Sequence, residues 1–513
     1  MKHLNRISAL FAGCLLLCSM CVPSAVSAAD ETPADSYDYG DINLDHSVDV
    51  SDVVLLARYS AEDKTAVISA QGKQLADVNG DGDVTKDDTV AILEYIAKKR
   101  PTLGPAVQPP APVGKTVCLT ADMDADEVAG KKADSAFISS QLGFAANLLR
   151  ETDLDESKHR LENEQQKNLL ISPLSVSLAL GMTANGAKGE TLAEMEKVLG
   201  GDLGIENLNA YYADYIKNLT AENEAKLHIA NSIWARDDAA RLIVPDAFLK
   251  TTKSYYNADF FKAPFDDTTV EDINGWVNTN TKEMIPSLIQ QISNEEIMYL
   301  INAVAFDAEW QTKYQSYNVN PGDFTCEDGQ QVAVKYMNGV EATYLDDGKA
   351  TGFIKPYKGG KFSFAAVLPN EGTTVSEYIK DLDGEALGKL LGSASEDTVL
   401  TLMPKFKFEY KKKLKDTLQT MGLKKAFEPD IADLTNLNTI PDSYISEVLH
   451  KTFIEVDEEG TRAAAVTAVM IAGNCGPLER KEVFLNRPFL FMILDNDTNL
   501  PIFMGYVMNP AEA

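Results

Sequence analysis

"EEGTRAAAVTAVMI", running from Glu458 to Ile471, decides the fold. After Arg462 come nine uncharged residues, ending in the β-formers Val469 and Ile471. Uncharged segments of high β-propensity invite pairing with other chains. Gly and Pro do not follow until Gly473 and Pro477, and the next charge is Glu479. Set out as a strand, one face carries Thr461, Ala463, Ala465, Thr467, Val469 and Ile471, all small, β-branched or apolar and all suited to a core. The other face carries Arg462, Ala464, Val466, Ala468, Met470 and Ala472, with its one charge pointing to solvent. Yet "AGNCGPLER", which follows, suits an exposed loop. The stretch reads as a central strand held in reserve.

The totals bound what surrounds it. A length of 513 residues predicts two or three domains. Lys and Arg number 47 against 77 Asp and Glu, and the net charge of -30 repels nucleic acid and anionic membranes. At 45% hydrophobic residues the chain can fill a large core. Residues 1–29 read as a signal peptide: "MKHLNR" is basic, "ISALFAGCLLLCSMCV" is apolar but short for a membrane span, and "SAVSAA" offers small residues for cleavage. Lipidation at Cys14 in "FAGC" is the alternative, opposed by an apolar run that continues well past it. No later stretch is long and apolar enough to span a bilayer, so the mature chain is expected outside the cell. Cys118, Cys326 and Cys475 remain after processing, an odd and widely spaced set that is no disulfide framework.

"RPTLGPAVQPPAPVGKT", with five prolines, reads as a semi-rigid linker. The expected organisation is a short segment 30–39, a small module 40–100, a linker 101–116 and a large module 117–513. The small module repeats itself at an offset of 36: "DINLDHSVDVSDVVLLARY" from Asp41 and "DVNGDGDVTKDDTVAILEY" from Asp77. Positions 1, 3 and 5 are Asp41, Asn43 and Asp45 in one loop, and Asp77, Asn79 and Asp81 in the other. Ser47 and Asp83 offer carbonyls at position 7, Asp49 and Thr85 stand at position 9, and Asp52 and Asp88 close position 12. Hard oxygen donors at this spacing wrap Ca²⁺. His46 stands where such loops favour Gly. Position 12 is Asp rather than Glu, and no amphipathic helix precedes the first loop, so each unit is loop then helix. This duplicated unit resembles the dockerin domain of cellulosomal proteins. The resemblance implies two bound Ca²⁺ and docking into a cohesin module of a scaffoldin. Contact is then expected through Val50 and Ser51, through Lys86 and Asp87, and through Arg58 and Glu94 on the following helices.

In the large module, "AFISSQLGFAANLLRE" and "SVSLALGMTANGAKGETLAEMEKVLG" have helical apolar spacing. "LHIANSIWA", "IMYLINAVAFDAEW", "FSFAAVLP", "LTLMPKFKFEY", "FLFMILDN" and "PIFMGYVMNP" read as strands. Helices first and strands later predict an α+β fold. Enzyme motifs are absent: there is no G-x-S-x-G, H-E-x-x-H, C-x-x-C or Gly-rich phosphate loop. His450, in the strand-like "ISEVLHKTFIEV", reads as a core histidine.

"EEGTRAAAVTAVMI" resembles the reactive-loop hinge of inhibitory serpins. So, in order, do "NLLISPLSVSLALGMTANGAKGET", "INAVAFDAEW", "MPKFKFEYKKKLKDTLQTMGL" and "SEVLHKTFIEV". "VFLNRPFLFMILDNDTNLPIFMGYVMNP" resembles the C-terminal strands, so the likeness covers nearly all of Ala133 to Pro510. It implies helices around three β-sheets with an exposed reactive loop, no cofactor, and no catalysis by the chain itself. A target protease cleaves the loop and forms an acyl-enzyme. The hinge then inserts as a strand and drags the protease to the far end of the sheet. Some serpins do not inhibit; such a chain would be a scaffold-bound binding or substrate module. The hinge favours inhibition, because Glu458 and Glu459 lead into Gly460, and Thr461, Ala463, Ala465 and Thr467 put nothing bulky or charged inward. Family spacing places the scissile bond between Asn474 and Cys475, or one residue away. A neutral Asn there points to subtilisin-like or cysteine proteases. Ser172, Ser175, Asn302 and His450 match the serpin shutter, and Trp310 the tryptophan where the hinge begins to insert.

Overall fold

The computed structural model describes residues 39–45, 47–60, 63, 65–78, 84–97, 103, 116–159, 167–293, 296–440, 443–461 and 480–511. The chain divides into two units, residues 1–111 and 112–513. In the first, α1 (Val50–Ser60), α2 (Ala70–Ala76) and α3 (Lys86–Ile96) enclose Ile42, Val53, Leu56, Val78 and Ile92. The repeat predicts α1 and α3. Helix α2 is an addition, started by the Ser69 hydroxyl, which accepts from the Gly72 amide at 2.9 Å.

The second unit carries α4 (Ser135–His159), α5 (Pro173–Ala184), α6 (Gly189–Gly200), α7 (Ile205–Leu219), α8 (Asp246–Tyr256) and α9 (Asp267–Asn280). The short helices α10 (Val375–Lys380), α11 (Gly384–Gly392) and α12 (Lys415–Thr420) come later. Its early strands are β1 (Val117–Cys118), β2 (Leu169–Ile171), β3 (Lys226–Arg236), β4 (Asp259–Ala263) and β5 (Met298–Glu309). Next come β6 (Val319–Thr325), β7 (Gln331–Asp346), β8 (Ala350–Pro356), β9 (Phe362–Pro369), β10 (Ser395–Pro404) and β11 (Phe406–Lys413). The last are β12 (Leu449–Val456), β13 (Gly460–Thr461), β14 (Lys481–Phe484), β15 (Phe489–Asp495) and β16 (Pro501–Val507). One sheet has the order β1-β4-β3-β5-β13-β12-β11; the other runs β14-β10-β7-β8-β9-β15-β16-β2, with β6 beside β7. The second sheet unites two of the three expected ones. Strand β7 is long enough to pair with β6 along its first half and with β8 near its end.

Two expected elements divide, each at a residue that forces it. The helical run 175–200 splits between α5 and α6, where a Cβ on Gly186 would lie 2.4 Å from the Leu437 side chain. The strand run 400–410 turns from one sheet to the other after Pro404, which has no amide to continue the ladder. All of α5 except Ala179 is buried, as expected of a helix that is apolar all round. It packs beneath β5 and β16. Helix α9 covers the opposite face of β3 and β5 through Ile273 and Val277 against Trp234, Ile301 and Ala303.

Candidate functional site

The first sheet is held together at one end only. Strand β13 is two residues long, pairing Gly460 with Glu309 and Thr461 with Ala308 on β5, and Thr461 with Val456 on β12. Both ladders are antiparallel, so β5 and β12 run parallel to each other, and among the described residues no ladder joins them directly. Further along lies a cavity of about 510 Å³, lined by Met298–Ala303 of β5 and by residues 446–449 and Lys451 on the β12 side. The gap is a strand-wide slot with its first two residues filled.

The filled end is tightly specified. Trp310 donates its backbone amide to Glu459 O at 2.9 Å and its Nε1 to Asp457 O at 2.8 Å, while its ring stacks on Tyr357 at 4.5 Å. The Tyr357 hydroxyl and Thr461 Oγ1 share a buried hydrogen bond of 2.5 Å. A Cβ on Gly460 would lie 2.1 Å from Ala308 O. Glycine is therefore required here by close approach of backbone. Glu458 pairs with Lys405, and Glu459 with Lys313, which also holds Glu309 at 2.7 Å. Burial pushes the Glu458 carboxyl up, but the Lys405 hydrogen bond, a backbone hydrogen bond and the charges of Lys405 and Lys335 together hold the group below its usual value. Burial raises Asp457. The other hinge positions, Ala463, Ala465 and Thr467, and the bond Asn474–Cys475 lie outside the described residues.

Below the slot the structure brings together all four residues singled out by resemblance. The Ser172 hydroxyl caps α5 by accepting from the Ser175 amide at 3.2 Å and donates to Ile502 O at 2.8 Å. The Ser172 amide donates to His450 Nε2 at 3.1 Å, and Ser175 Oγ donates to Asn302 O at 3.4 Å. His450 is buried, which lowers its imidazole to about 4 and keeps the ring neutral. Asn302 donates Nδ2 to Asn231 Oδ1 at 2.6 Å, but its own Oδ1 is buried with no hydrogen-bond partner and lines the cavity. Asn231, fixed by its bond to Tyr256 O at 2.7 Å, is a member that sequence reasoning missed. The alternation in "LHIANSIWA", which points Asn231 inward beside Ile229 and Ile233, was the available sign.

In the first unit, Asp52 Oδ1 accepts from the Ile42 amide at 2.8 Å and the Asn43 amide at 3.1 Å, and its Oδ2 from the Asp49 amide at 3.0 Å. Asp88 repeats this with the Val78 and Thr85 amides at 3.0 and 2.9 Å. Asp41 accepts from the Asp45 amide at 3.1 Å. Asn79, Asp81 and Asp83, with His46, lie outside the described residues. The donor set is all oxygen and mainly carboxylate, which fits a hard divalent cation, with the closing Asp braced by loop amides in both repeats. Of the expected cohesin contacts, Val50, Ser51, Lys86 and Glu94 are exposed, whereas Arg58 is tied to Asp63 at 2.9 Å and Thr65 at 2.6 Å. The side chain of Asp87 lies outside the described residues. Val54, Val90 and Leu93 are exposed apolar residues on the same helices that the sequence reading passed over. A third cluster, Asp155, His159 and Asp416, already holds the Lys412 ammonium 2.6 Å from Asp155. Among the described residues no helix is long and apolar enough to cross a membrane.

Comparison with known proteins agrees with both halves of this geometry. Residues 142–510 match the family model "Serpin (serine protease inhibitor)", and residues 39–97 the model "Dockerin type I domain". The chain is 32% identical to human Serpin B4 over 379 residues, which are 68% of this chain and 96% of that protein. It is also 32% identical to the leukocyte elastase inhibitor of Xenopus tropicalis over 364 residues, 68% and 95% of the two chains. Among solved structures, the thermophilic serpin tengpin in its native state superposes with a TM-score of 0.71 at 46% identity, covering 77% of this chain and all of that one. Tengpin in its latent state gives 0.64 at 44% identity, covering 74% and 99%. The chain belongs to the serpin family and carries a dockerin type I domain at its N-terminal side.

Proposed function

We propose that the protein is a secreted suicide-substrate inhibitor that traps a subtilisin-like or cysteine protease, and that its dockerin anchors it to a scaffoldin of a cell-surface cellulosome. The observation that carries the inhibitory reading is the slot between β5 and β12, filled at one end by Gly460–Thr461 and, among the described residues, open beyond. Closer likeness to the native than to the latent form of tengpin supports the same reading.

The protease nucleophile attacks the Asn474 carbonyl, the bond to Cys475 breaks, and the Cys475 amine leaves with a proton. Asn474 stays on the enzyme as an ester or thioester. The hinge, freed on one side, continues the ladder that β13 begins. In that register Ala463 meets Phe306 and Ile454, Ala465 meets Val304 and Thr452, and Thr467 meets Asn302 and His450. Small inward side chains pass over a filled core without overpacking it. From Gly460 to Asn474 the strand spans about 50 Å at roughly 3.3 Å per residue, enough to carry the acylated protease along the whole sheet. Insertion is driven by new backbone pairing on both sides and by burial of apolar surface.

In the dockerin, Asp41, Asn43, Asp45, Ser47, Asp49 and Asp52 would hold one Ca²⁺, and Asp77, Asn79, Asp81, Asp83, Thr85 and Asp88 the second. The ions supply the charge that lets these carboxylates converge. The proposed site of action is the extracellular face of the cell, with the inhibitor guarding the enzymes assembled beside it.

The test mixes mature protein with subtilisin, then with a papain-type protease, and reads denaturing gels for an adduct at the summed mass. The expected result is an adduct with the cut after Asn474 by mass spectrometry. Clean cleavage there without an adduct, for every protease tried, would make the chain a substrate-like module.

A further inference from the structure

Beside the filled end of the slot lies a buried ion pair that the mechanism above does not use. Lys355 on β8 and Glu341 on β7 meet at 2.8 Å, with 4% and 8% of their side chains exposed. Burial pushes the Glu341 carboxyl up even with the ammonium beside it, so the pair is held against a desolvation cost. Replacing such a pair by apolar residues of similar volume is often neutral or stabilising, so stability alone does not account for it. Its use lies in what else the ammonium touches. Lys355 Nζ donates to Thr312 O at 3.0 Å, and it lies 4.3 Å from the centre of the Tyr314 ring and 5.4 Å from that of Trp310. All three contacts fall on one bend, residues 310–314, between β5 and β6. An aliphatic side chain fills the same volume, but it neither donates to the Thr312 carbonyl nor attracts the faces of two rings.

That bend holds the base of the hinge. The Trp310 amide, Trp310 Nε1 and the Tyr314 amide donate to the carbonyls of Glu459, Asp457 and Glu458, at 2.9, 2.8 and 3.0 Å. Three consecutive carbonyls just before Gly460 are thus fixed by a bend that is itself fixed by one ammonium. The Tyr314 hydroxyl is buried with no hydrogen-bond partner among the described residues, so the contact that orients this side chain is the one its ring makes with Lys355. Gly339 leaves room for the cluster: a Cβ there would lie 2.8 Å from Tyr314 Cε1 and 3.3 Å from Glu341 Oε1.

We propose that Lys355, balanced by Glu341, is a positioning residue for strand insertion: it sets the 310–314 bend so that the hinge base stays in register with β5 and the ladder grows directly from Thr461. The proposal rests on the inhibitory function proposed above. Lys355 acts through the bend, on carbonyls that precede the inserting residues, so its effect falls on the step after cleavage. Binding of the protease to the loop does not depend on it. The carboxylate of Glu341 is the counter-charge that lets an ammonium stay in this place, and the donation to Thr312 O is what the ammonium adds.

The experiment compares full-length wild type with Lys355→Met and with the double variant Lys355→Met, Glu341→Leu, which replaces the pair by apolar side chains. The single variant leaves a carboxyl buried without its cation and should lose stability, so the double variant carries the test. Its thermal unfolding should match or exceed that of wild type. In the uncut protein, hydrogen exchange at the Trp310 and Tyr314 amides should speed up by about tenfold or more in the double variant, as expected when a charged hydrogen bond is lost. With each protease the wild type traps, the limiting rate of adduct formation at saturating protease should fall by about threefold or more, while the protease concentration giving half that rate moves by less than about twofold. Exchange at both amides within about twofold of wild type overturns the proposal, whatever happens to trapping. So does a limiting rate within about twofold of wild type, which would separate the bend from insertion. A double variant less stable than wild type would show that the pair is kept for stability, and also overturns it. A wild type that forms no adduct with any protease sinks the inhibitory reading, and this proposal with it, before any variant is compared.

Discussion

Continuing the β13 ladder gives every hinge residue an address, and one address pairs two observations that are otherwise unconnected. Thr461 lies between Ala308 and Val456. Six residues deeper, Thr467 falls between Asn302 and His450, and Asn302 Oδ1 is the buried acceptor without a partner. In the inserted form the Thr467 hydroxyl can donate to it. Meeting a buried orphan is worth about 1–3 kcal/mol. Thr467→Val keeps the β-branch and the volume and removes only the hydroxyl. The uncut protein should keep its stability if Thr467 enters the sheet only after cleavage; among the described residues the ladder ends at Thr461. The cleaved, inserted form should lose about 1–3 kcal/mol in denaturant unfolding. If about half of that bond is formed as the strand crosses the barrier, insertion slows by roughly two- to tenfold, and more inhibitor is consumed per protease trapped. Thr467→Ser restores the hydroxyl and should recover most of the loss. A valine variant whose cleaved form is as stable as wild type, or a serine variant that loses as much as valine, would show the register to be wrong.

Other outcomes follow from neighbouring geometry. Thr461→Arg puts a guanidinium into the buried space beside Tyr357, at a cost of several kcal/mol; denaturing gels should show cleavage without adduct. Arg462 has its inserted address on the wet face between Asp307 and Glu455, so Arg462→Glu should raise inhibitor consumption at low salt and less so at high salt. The His450 imidazole, about 4 when folded against an ordinary 6.5, contributes stability that is full above pH 6.5 and lost as pH falls toward 4. The loss is about 3 kcal/mol, and His450→Gln should flatten the unfolding profile in that window. Calcium chelation should reduce the helicity of a dockerin-bearing chain and abolish its capture on a cohesin column while leaving adduct formation intact.

In the hinge a strand's period of two shows directly in Thr461, Ala463, Ala465 and Thr467, of which the structure describes Thr461 at the first step of the ladder; the calcium loops show in donors that recur at fixed spacing, closed in both repeats by an Asp that the structure braces with loop amides. The shutter was legible only through resemblance. Nothing local marks Ser172 and His450 as neighbours, since they lie 278 residues apart and meet through the fold. Asn231 and the orphaned Asn302 acceptor depend on which strand sits beside which, a property no single segment carries. Helix α2 escaped notice because "AQGKQLA" is short and contains Gly72. Lys355 and Glu341, paired at 2.8 Å and both buried beside the Tyr314 ring, read as ordinary surface charges in their alternating strands. Burial overrode that pattern, and it pushes the Glu341 carboxyl up even with its partner in place.

Reach alone would keep an uncut segment from filling a slot that suits it. Thr461 is beside Val456, which pairs with Phe406; Phe484 pairs with Leu402, just before the Pro404 corner that leads to Phe406. Both ends of the segment 462–480 are therefore fixed at the same end of the first sheet. Strand β5 has twelve residues, so the slot is about 40 Å deep. An uncut segment must go down and return, which needs about 80 Å of chain. Its nineteen residues supply about 65 Å at most. The intact loop can begin the ladder and cannot complete it without pulling β14 from β10. Cutting after Asn474 removes the return journey, and the fifteen residues from Gly460 then exceed the depth of the slot. On the inhibitory reading proposed above, the protease would release the strand by the same bond cleavage that attaches the enzyme to it. A complementary sequence and a closed tether together make a strand that waits.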